Sequence, residues 1–431
     1  MSNPLRIAIA GLGNVGSGTV QLLTQNSDLL RKRSGRPLKI TSISARDKNK
    51  DRGFSTDGMI WFNDPVAMAK EANADVLVEL IGGEEGIAKE VCEQALKSGK
   101  HVVTANKALL AVNGESLVSL AENNKVVLNY EAAVAGGIPI VKAIREGLAG
   151  NNIKRIYGIL NGTCNYILTE MRTQRRAFDE VLLEAQKLGY AEAEPSMDVD
   201  GIDAAQKLSL LSSLAFGTKI NFSAVYTEGI RRISLLDIDY AEELGFRIKL
   251  LGSAQRTAEG IEQRVYPCMV DQSFPIAHVE GAYNAIVGIG DFVGNTMFQG
   301  LGAGAGPTAS AVVADLIDIS HDRRAPTLGV SYNLLENIPD IEIGKHIGPY
   351  YVRLMVADRP GVIADITAAF RDEKVSIESM IQRSRSTTEA VPVILNMHDC
   401  KEYEMQRALS NISTLDSVIE EPTMIRIETL S

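Results

Sequence analysis

Short, unbroken apolar runs alternate with longer stretches of helical periodicity through the first third of the chain. Arg6–Ala10, Leu38–Ala45, Asp75–Leu80, His101–Thr104 and Val126–Tyr130 read as strands covered on both faces, the pattern of a parallel sheet. Glu84–Ser98 has the spacing of a helix between two of them. A further strand, Ile153–Leu160, and a helix over Phe178–Leu188 follow, the helix stopping at Gly189 as a C-terminal cap. The stretch LSLLSSLAFG after Lys207 is too apolar for a solvated helix. A Gly-rich segment over 287–307 ends in Gly302–Pro307 and opens an Ala-rich helix. Residues 321–346 carry Pro326, Gly329, Pro339 and Gly344 and read as a linker. Beyond it the pattern is strand Tyr350–Ala357, a helix to about Glu373, strands Val375–Gln382 and Ala390–Met397, a helix from Glu402 and a strand Thr423–Glu428. That βαββαβ order predicts a ferredoxin-like split unit.

The first strand runs directly into Gly11-Leu12-Gly13-Asn14-Val15-Gly16, a G-x-G-x-x-G between strand and helix. Gly11 allows the tight turn, Gly13 leaves room for a pyrophosphate, and Gly16 lets helix approach strand. The helix N-terminus then offers free N–H groups to phosphate. At the end of the second strand, where an acidic residue reads the adenosine ribose, stand Ser44, Ala45 and Arg46. An arginine fork suits a 2′-phosphate and favours NADP, although Asp47 follows and keeps NAD open. The alternative is that Arg46 merely pairs with Asp47 in solvent. Thr104 and Lys107 fall at the carboxyl end of a strand, where ligands of open parallel sheets sit. Glu131–Pro139 combines one carboxylate with small residues. It suits a hinge between domains or a cation held by oxygens, and the residues alone favour the hinge.

Glu192, Asp198, Asp200 and Asp203 precede Lys207. Asp203 and Lys207 are four apart and share a helix face. One reading is a helical salt bridge. The sharper one is a catalytic ammonium beside carboxylates that hold a cationic substrate, because a lysine entering a buried helix is costly unless paired or functional. Cys164 lacks a neighbouring histidine in sequence and reads as a packed thiol rather than a nucleophile.

Composition narrows the field without choosing within it. Of the 431 residues, 45% are hydrophobic and 23% charged, which excludes disordered and collagen-like classes. The net charge is −10 with no dense basic stripe, so no nucleic-acid partner is expected. No apolar run reaches a membrane span and no secretory core opens the chain. Cys92, Cys164, Cys268 and Cys400 are far apart, as in a reducing cytoplasm, and a cytoplasmic location is expected.

The Lys107 loop, Asn161–Tyr166 and Glu192–Lys207 together resemble the homoserine dehydrogenase family. Asp358-Arg359-Pro360-Gly361 with Ser376–Gln382 resembles an ACT domain. The resemblance implies an α/β protein in three parts: a Rossmann-type NAD(P)-binding domain (1–135), an α+β substrate and dimerisation domain (136–320), and an ACT module (349–431) after a linker (321–348). The helix at 301–320 is expected to pack back on the first domain. The implied reaction interconverts L-aspartate 4-semialdehyde and L-homoserine, in threonine, methionine and isoleucine biosynthesis. By resemblance Lys207 is the proton donor, and Glu192 and Asp203 bind the substrate. Lys107 serves cofactor and substrate and assists the proton transfer. Gly11, Leu12, Gly13, Asn14, Val15, Gly16, Arg46, Thr104, Gly189 and Gly306 fall at cofactor positions. Glu131, Val134, Gly136 and Ile138 match a sodium site made largely of backbone carbonyls. Threonine is the implied effector, and a homodimer or homotetramer the implied assembly. The competing enzyme reading, a semialdehyde dehydrogenase that forms a thioester, requires an activated cysteine. A non-catalytic sensor would lack the lysines and carboxylates that are present here.

Overall fold

The computed structural model describes residues 3–383 and 389–430. Its first sheet has six strands: β1 (Leu5–Ala10), β2 (Leu38–Ser44), β3 (Ile60–Phe62), β4 (Val76–Glu79), β5 (His101–Thr104) and β6 (Leu128–Asn129). Their order is β3-β2-β1-β4-β5-β6 and every pairing is parallel. This is the doubly wound dinucleotide-binding order, with its crevice where the order reverses between β1 and β4. Ile7, Ile9, Val76, Val78 and Val103 are fully buried, consistent with runs that do not alternate. The expected strand over 126–130 shrinks to two residues, because Tyr130 leads at once into a tight turn over Glu131–Ala133. Helix Ala305–Ser320 lies against helix Asn14–Gln25, with Val312, Leu316 and Ile319 sharing a core with Val20 and Leu23. Gly18 makes the crossing possible: a Cβ there would stand 3.0 Å from the Ala305 carbonyl oxygen.

The second sheet has ten strands: β7 (Ile153–Ile159), β8 (Tyr226–Thr227), β9 (Phe246–Arg256), β10 (Ile261–Asp271), β11 (Tyr283–Gly290), β12 (Gly294–Leu301), β13 (Ile347–Ala357), β14 (Ile377–Ile381), β15 (Ala390–Lys401) and β16 (Thr423–Glu428). The order is β12-β11-β7-β9-β10-β16-β13-β15-β14, with β8 on β10. The last four strands are the βαββαβ unit. It is not a separate bead: β16 pairs in parallel with β10, at Cys268↔Arg426, Met269↔Ile427 and Val270↔Glu428, so one sheet runs through both parts.

The segment expected as a linker is a strap. Leu328 is buried, Glu336 bridges to Thr218 and Asp340 to Ile261, and the Glu122 carboxylate accepts from Tyr332 N at 3.0 Å. Its backbone finds partners on the domain it crosses, and so it lies down rather than dangling. Among the described residues no helix is long and apolar enough to cross a membrane.

Candidate active site

The glycine loop behaves as its spacing requires. Gly11 has φ +99°, and a Cβ there would stand 2.4 Å from the Leu80 carbonyl oxygen of the loop after β4. A Cβ at Gly16 would be 2.1 Å from the Gly11 oxygen, whereas one at Gly13 would meet only open space. Leu12 is buried in the core below. Asn14 and Val15 open a helix whose first-turn N–H groups no side chain caps. Together these leave an uncapped helix N-terminus beside open space, a shape that suits a pyrophosphate. The adjoining cleft, of about 700 Å³, is lined by Gly13, Ser44, Arg46, Lys50 and Arg52 among others. Arg46 is exposed there and makes no pair with Asp47 among the described residues. Arg52 donates to the Leu12 carbonyl at 3.2 Å and so ties the ribose-side loop to the glycine loop. Gly306, in the first turn of helix Ala305–Ser320, stands beside Ala305, which Gly18 accommodates.

Across the crevice, the end of β4 supplies a group that sequence reading missed. Glu79 is fully buried, and no cation pairs with it among the described residues. Its carboxylate accepts from Ile81 N at 2.7 Å, Gly82 N at 3.1 Å and the Thr104 hydroxyl at 2.6 Å. Burial raises its pKa, against those hydrogen bonds. Thr104 in turn accepts from Asn106 N at 3.0 Å, so its hydroxyl is engaged with protein. Asn106 caps helix Lys107–Asn123 by accepting from Leu109 N, and its amide donates to the Gly83 carbonyl at 2.7 Å. Lys107 is thereby fixed at the first position of a helix beside the cleft.

Lys107 meets the second domain at Asp203. Its Nζ lies 3.1 Å from Asp203 Oδ1, while Lys207 Nζ donates to Asp203 Oδ2 at 2.7 Å and to the Leu160 carbonyl at 2.8 Å. The i,i+4 pair is real, and it is also more than a helical salt bridge: one buried carboxylate joins two ammoniums from different domains. Burial opposes charge on Asp203, but Lys207 and then Lys107 outweigh it and hold its pKa far below the usual carboxylate range. Asn161, at the end of β7, caps helix Gly162–Gln174 through its oxygen, and its amide donates to Asp198 at 2.7 Å and Asp203 at 2.8 Å. Burial raises the Asp198 pKa. Glu192 is exposed, and its carboxylate has no partner among the described residues, which leaves it free for a ligand. Gly189, φ +78°, ends the helix before it; the hydroxyl of Thr163 holds the next carbonyl, Tyr190, at 2.7 Å. No described contact joins Gly189 to the glycine loop.

Cys164 is fully buried, donates to the Asp198 carbonyl at 3.1 Å, and has its pKa raised, by burial first and then by nearby carboxylates. A thiol so placed is not activated. Glu131 is buried as well. Its carboxylate accepts from Val141 N at 3.0 Å and Lys142 N at 2.8 Å, and burial and then Asp315 push its pKa up to about 7. The turn it begins is pressed onto the Gly302 loop, since a Cβ at Gly136 would be 2.6 Å from the Gly302 oxygen. The Ile138 carbonyl accepts from Ile140 N at 2.8 Å, whereas those of Val134 and Gly136 have no hydrogen bond among the described residues.

The profile described as homoserine dehydrogenase matches residues 139–317, and the one described as its NAD-binding domain matches 11–131. The homoserine dehydrogenase of Neisseria gonorrhoeae is 44% identical over 433 residues, covering 99% of each chain. The chain belongs to the homoserine dehydrogenase family. It is accordingly an oxidoreductase that binds NAD(P). An ACT-domain profile matches 350–399. The homoserine dehydrogenase of Pseudomonas aeruginosa is 43% identical over 437 residues, covering 99% of this chain and all of that one. A crystal structure of a homoserine dehydrogenase from Thiobacillus denitrificans superposes with a TM-score of 0.93 at 44% identity, covering 100% and 99% of the two chains. A hyperthermophilic archaeal homoserine dehydrogenase in complex with NADPH superposes with a TM-score of 0.64 at 27% identity, covering 74% of this chain and 98% of that one.

Proposed function

We propose that the site reduces L-aspartate 4-semialdehyde to L-homoserine reversibly, with NADP preferred, within the biosynthesis of threonine, methionine and isoleucine. The observation that carries this is the Lys107–Asp203–Lys207 bridge beside an open dinucleotide cradle. An ammonium has three donors. Lys207 uses two, on Asp203 and Leu160, which leaves one N–H for a substrate oxygen. As the aldehyde is reduced, negative charge develops on that oxygen; Lys207 stabilises it and gives it a proton. Lys107, on the cofactor side, assists. Asp203 orients both lysines and binds the substrate's polar end together with Glu192, whose free carboxylate suits the amino group of a zwitterion. The bound nicotinamide nucleotide supplies the hydride. Gly11, Leu12, Gly13, Asn14, Val15, Gly16, Thr104, Lys107, Gly189 and Gly306 form or border its place. Arg46, Lys50 and Arg52 supply the positive charge that favours a 2′-phosphate.

The free carbonyls of Val134 and Gly136 fit a monovalent cation, with Ile138, whose carbonyl also accepts from Ile140 N, and Glu131, whose carboxylate and carbonyl both accept from backbone N–H groups, completing the set. This reading takes 1–135, 136–320 and 349–431 as the working units, in a cytoplasmic homodimer or homotetramer, with threonine acting through the C-terminal module. The experiment is initial-rate measurement of L-homoserine oxidation with NADP and NAD in parallel, with and without L-threonine. Turnover, a higher kcat/KM with NADP, and inhibition by threonine are expected. No turnover with either cofactor in a folded sample overturns the reading.

A further inference from the structure

Leu160 gives Lys207 its second fixed contact, and what fixes Leu160 lies on another strand. β11 runs antiparallel to β7 with Ala285 opposite Ile159, so Asn284 falls opposite Leu160 where the ladder ends. The Asn284 amide nitrogen donates to the Leu160 carbonyl at 3.0 Å, the same oxygen that accepts from Lys207 Nζ at 2.8 Å. Turning the amide over sets its oxygen against the Leu160 oxygen, so its orientation is fixed. Asn284 is 1% exposed, and its own oxygen is buried with no hydrogen-bond partner among the described residues. An apolar side chain of the same size avoids that cost, so packing alone does not account for an asparagine here. The far side of the amide meets the loop after β12. A Cβ on Gly302 would overlap the Asn284 nitrogen and stand 2.7 Å from its oxygen. Gly302 does not have a left-handed backbone, so its lack of a side chain answers to space and not to conformation. The same loop opens helix Ala305–Ser320, whose first residue stands against Gly18 in the helix of the glycine loop. Asn284 is thus wedged between a loop of the cofactor side and the carbonyl that holds Lys207.

We propose that Asn284 is a positioning residue for the proton transfer, and that Gly302 is a glycine to make room for it. Lys207 has two fixed contacts, Asp203 Oδ2 and the Leu160 carbonyl, and their directions set where its third N–H points. Asp203 is itself held by Asn161 and Lys107. The Leu160 carbonyl is held from the other side by Asn284 alone among the described side chains. Without that amide the Leu160 peptide is free to turn, and the ammonium keeps only its carboxylate contact. The inference rests on the reading of Lys207 as the group that exchanges the proton with substrate, and it adds the residue that aims it.

The test is steady-state kinetics of homoserine oxidation, with melting temperatures, on Asn284→Ala, Gly302→Ala and the double variant of the full chain. Asn284→Ala is expected to lower kcat roughly tenfold or more, the scale of a small misplacement of a reacting group, while KM for the dinucleotide stays within about twofold. Gly302→Ala drives the amide off Leu160 and should lower kcat by a similar factor. In the double variant the new methyl group fills the space that the amide leaves. Its melting temperature should recover toward the parent while kcat stays low, because no donor reaches Leu160, and it should be no slower than either single variant. Parent kcat in Asn284→Ala, or kcat that returns in the double variant together with the melting temperature, shows a side chain that only packs and overturns the proposal. Should Asn284→Ala fail to fold, the double variant carries the same comparison, with low kcat in a folded protein as the expected result. Lys207→Ala separates the two readings. Near-normal turnover there removes the catalytic reading and this proposal with it, whereas loss of turnover there with full turnover in Asn284→Ala removes this proposal alone.

Discussion

Lys207 is the residue on which the proposed chemistry turns, and its surroundings say how. Buried among Asp203, Leu160 and helix Ile202–Phe216, it is an ammonium whose charge is held in place and whose remaining donor is unused. Lys207→Ala is expected to lower kcat for homoserine oxidation by roughly a hundredfold or more, the usual scale for loss of a general acid or base. Lys207→Arg should not restore it, because a guanidinium does not release its proton near neutral pH. Steady-state rates on both variants, with melting temperatures to confirm folding, check this; near-normal turnover in either removes Lys207 from proton transfer. The pair Asp203 and Lys207 was legible in sequence because i,i+4 spacing puts two side chains on one helix face. Asn161 was not recognised as a site residue. Its signal was present, since an asparagine directly before a helical stretch is an N-cap. What no spacing reveals is that its free amide then reaches across 37 and 42 residues of chain to Asp198 and Asp203.

Among the elements, strand β4 carries a device that local pattern conceals. DVLVEL reads as a buried strand, and its glutamate looks like an ordinary strand end. In the fold, Glu79 stands at the crevice and binds both loops that face the cofactor, the one after β4 through Ile81 and Gly82 and the one after β5 through Thr104. Glu79→Gln keeps the size and can hold Ile81 N and Gly82 N on its oxygen while its amide donates to the Thr104 hydroxyl, but it removes the charge that strengthens these bonds and reverses the one to Thr104, so both loops are held less tightly. KM for the dinucleotide is expected to rise several-fold or more, with a smaller fall in kcat because Lys107 follows the second loop. Glu79→Asp, which retains the charge, should recover part of the KM. Kinetics over a range of cofactor concentration distinguish this from simple destabilisation, which lowers the amount of active enzyme without moving KM. The rest of the Rossmann half was readable because each of its strands is a short apolar run and each glycine has one geometric task. Strands β9 and β10 were not read. Each has eleven residues, and residues 248–254 and 263–270 are buried throughout, so no alternation marks them. Lys249 within β9 breaks the apolar run as well. It is buried, donating to the Val279 carbonyl at 2.6 Å, and burial draws its pKa down to about 8.

For the whole molecule, the decisive contact is the parallel pairing of β10 with β16, which makes catalytic and C-terminal parts a single sheet. Sequence predicts the βαββαβ unit correctly but shows it as an appendage, because three pairs of residues between distant strands leave no local trace. The join is also electrostatic. Glu428, at the end of β16, binds Arg155 of β7, accepts from the Tyr266 hydroxyl of β10 at 2.7 Å, and lies 3.6 Å from Arg264. Burial disfavours its charge, but Arg264 and Arg155 prevail and bring its pKa down from 4.5 to about 2. A folded-state value below the unfolded one means that the ionised form stabilises the fold above about pH 4.5, and that this is lost as pH falls toward 2. The gap corresponds to roughly 3 kcal/mol at neutral pH. Glu428→Gln leaves two buried guanidiniums without that charge, so it should lower the melting temperature by several degrees at pH 7. The difference from the parent should narrow steadily on acidification below pH 4.5, because the parent then loses the same charge. Melting curves of both proteins from pH 7 down to the acid transition check it. A difference that stays constant across that range shows that Glu428 does not carry the seam between the two parts.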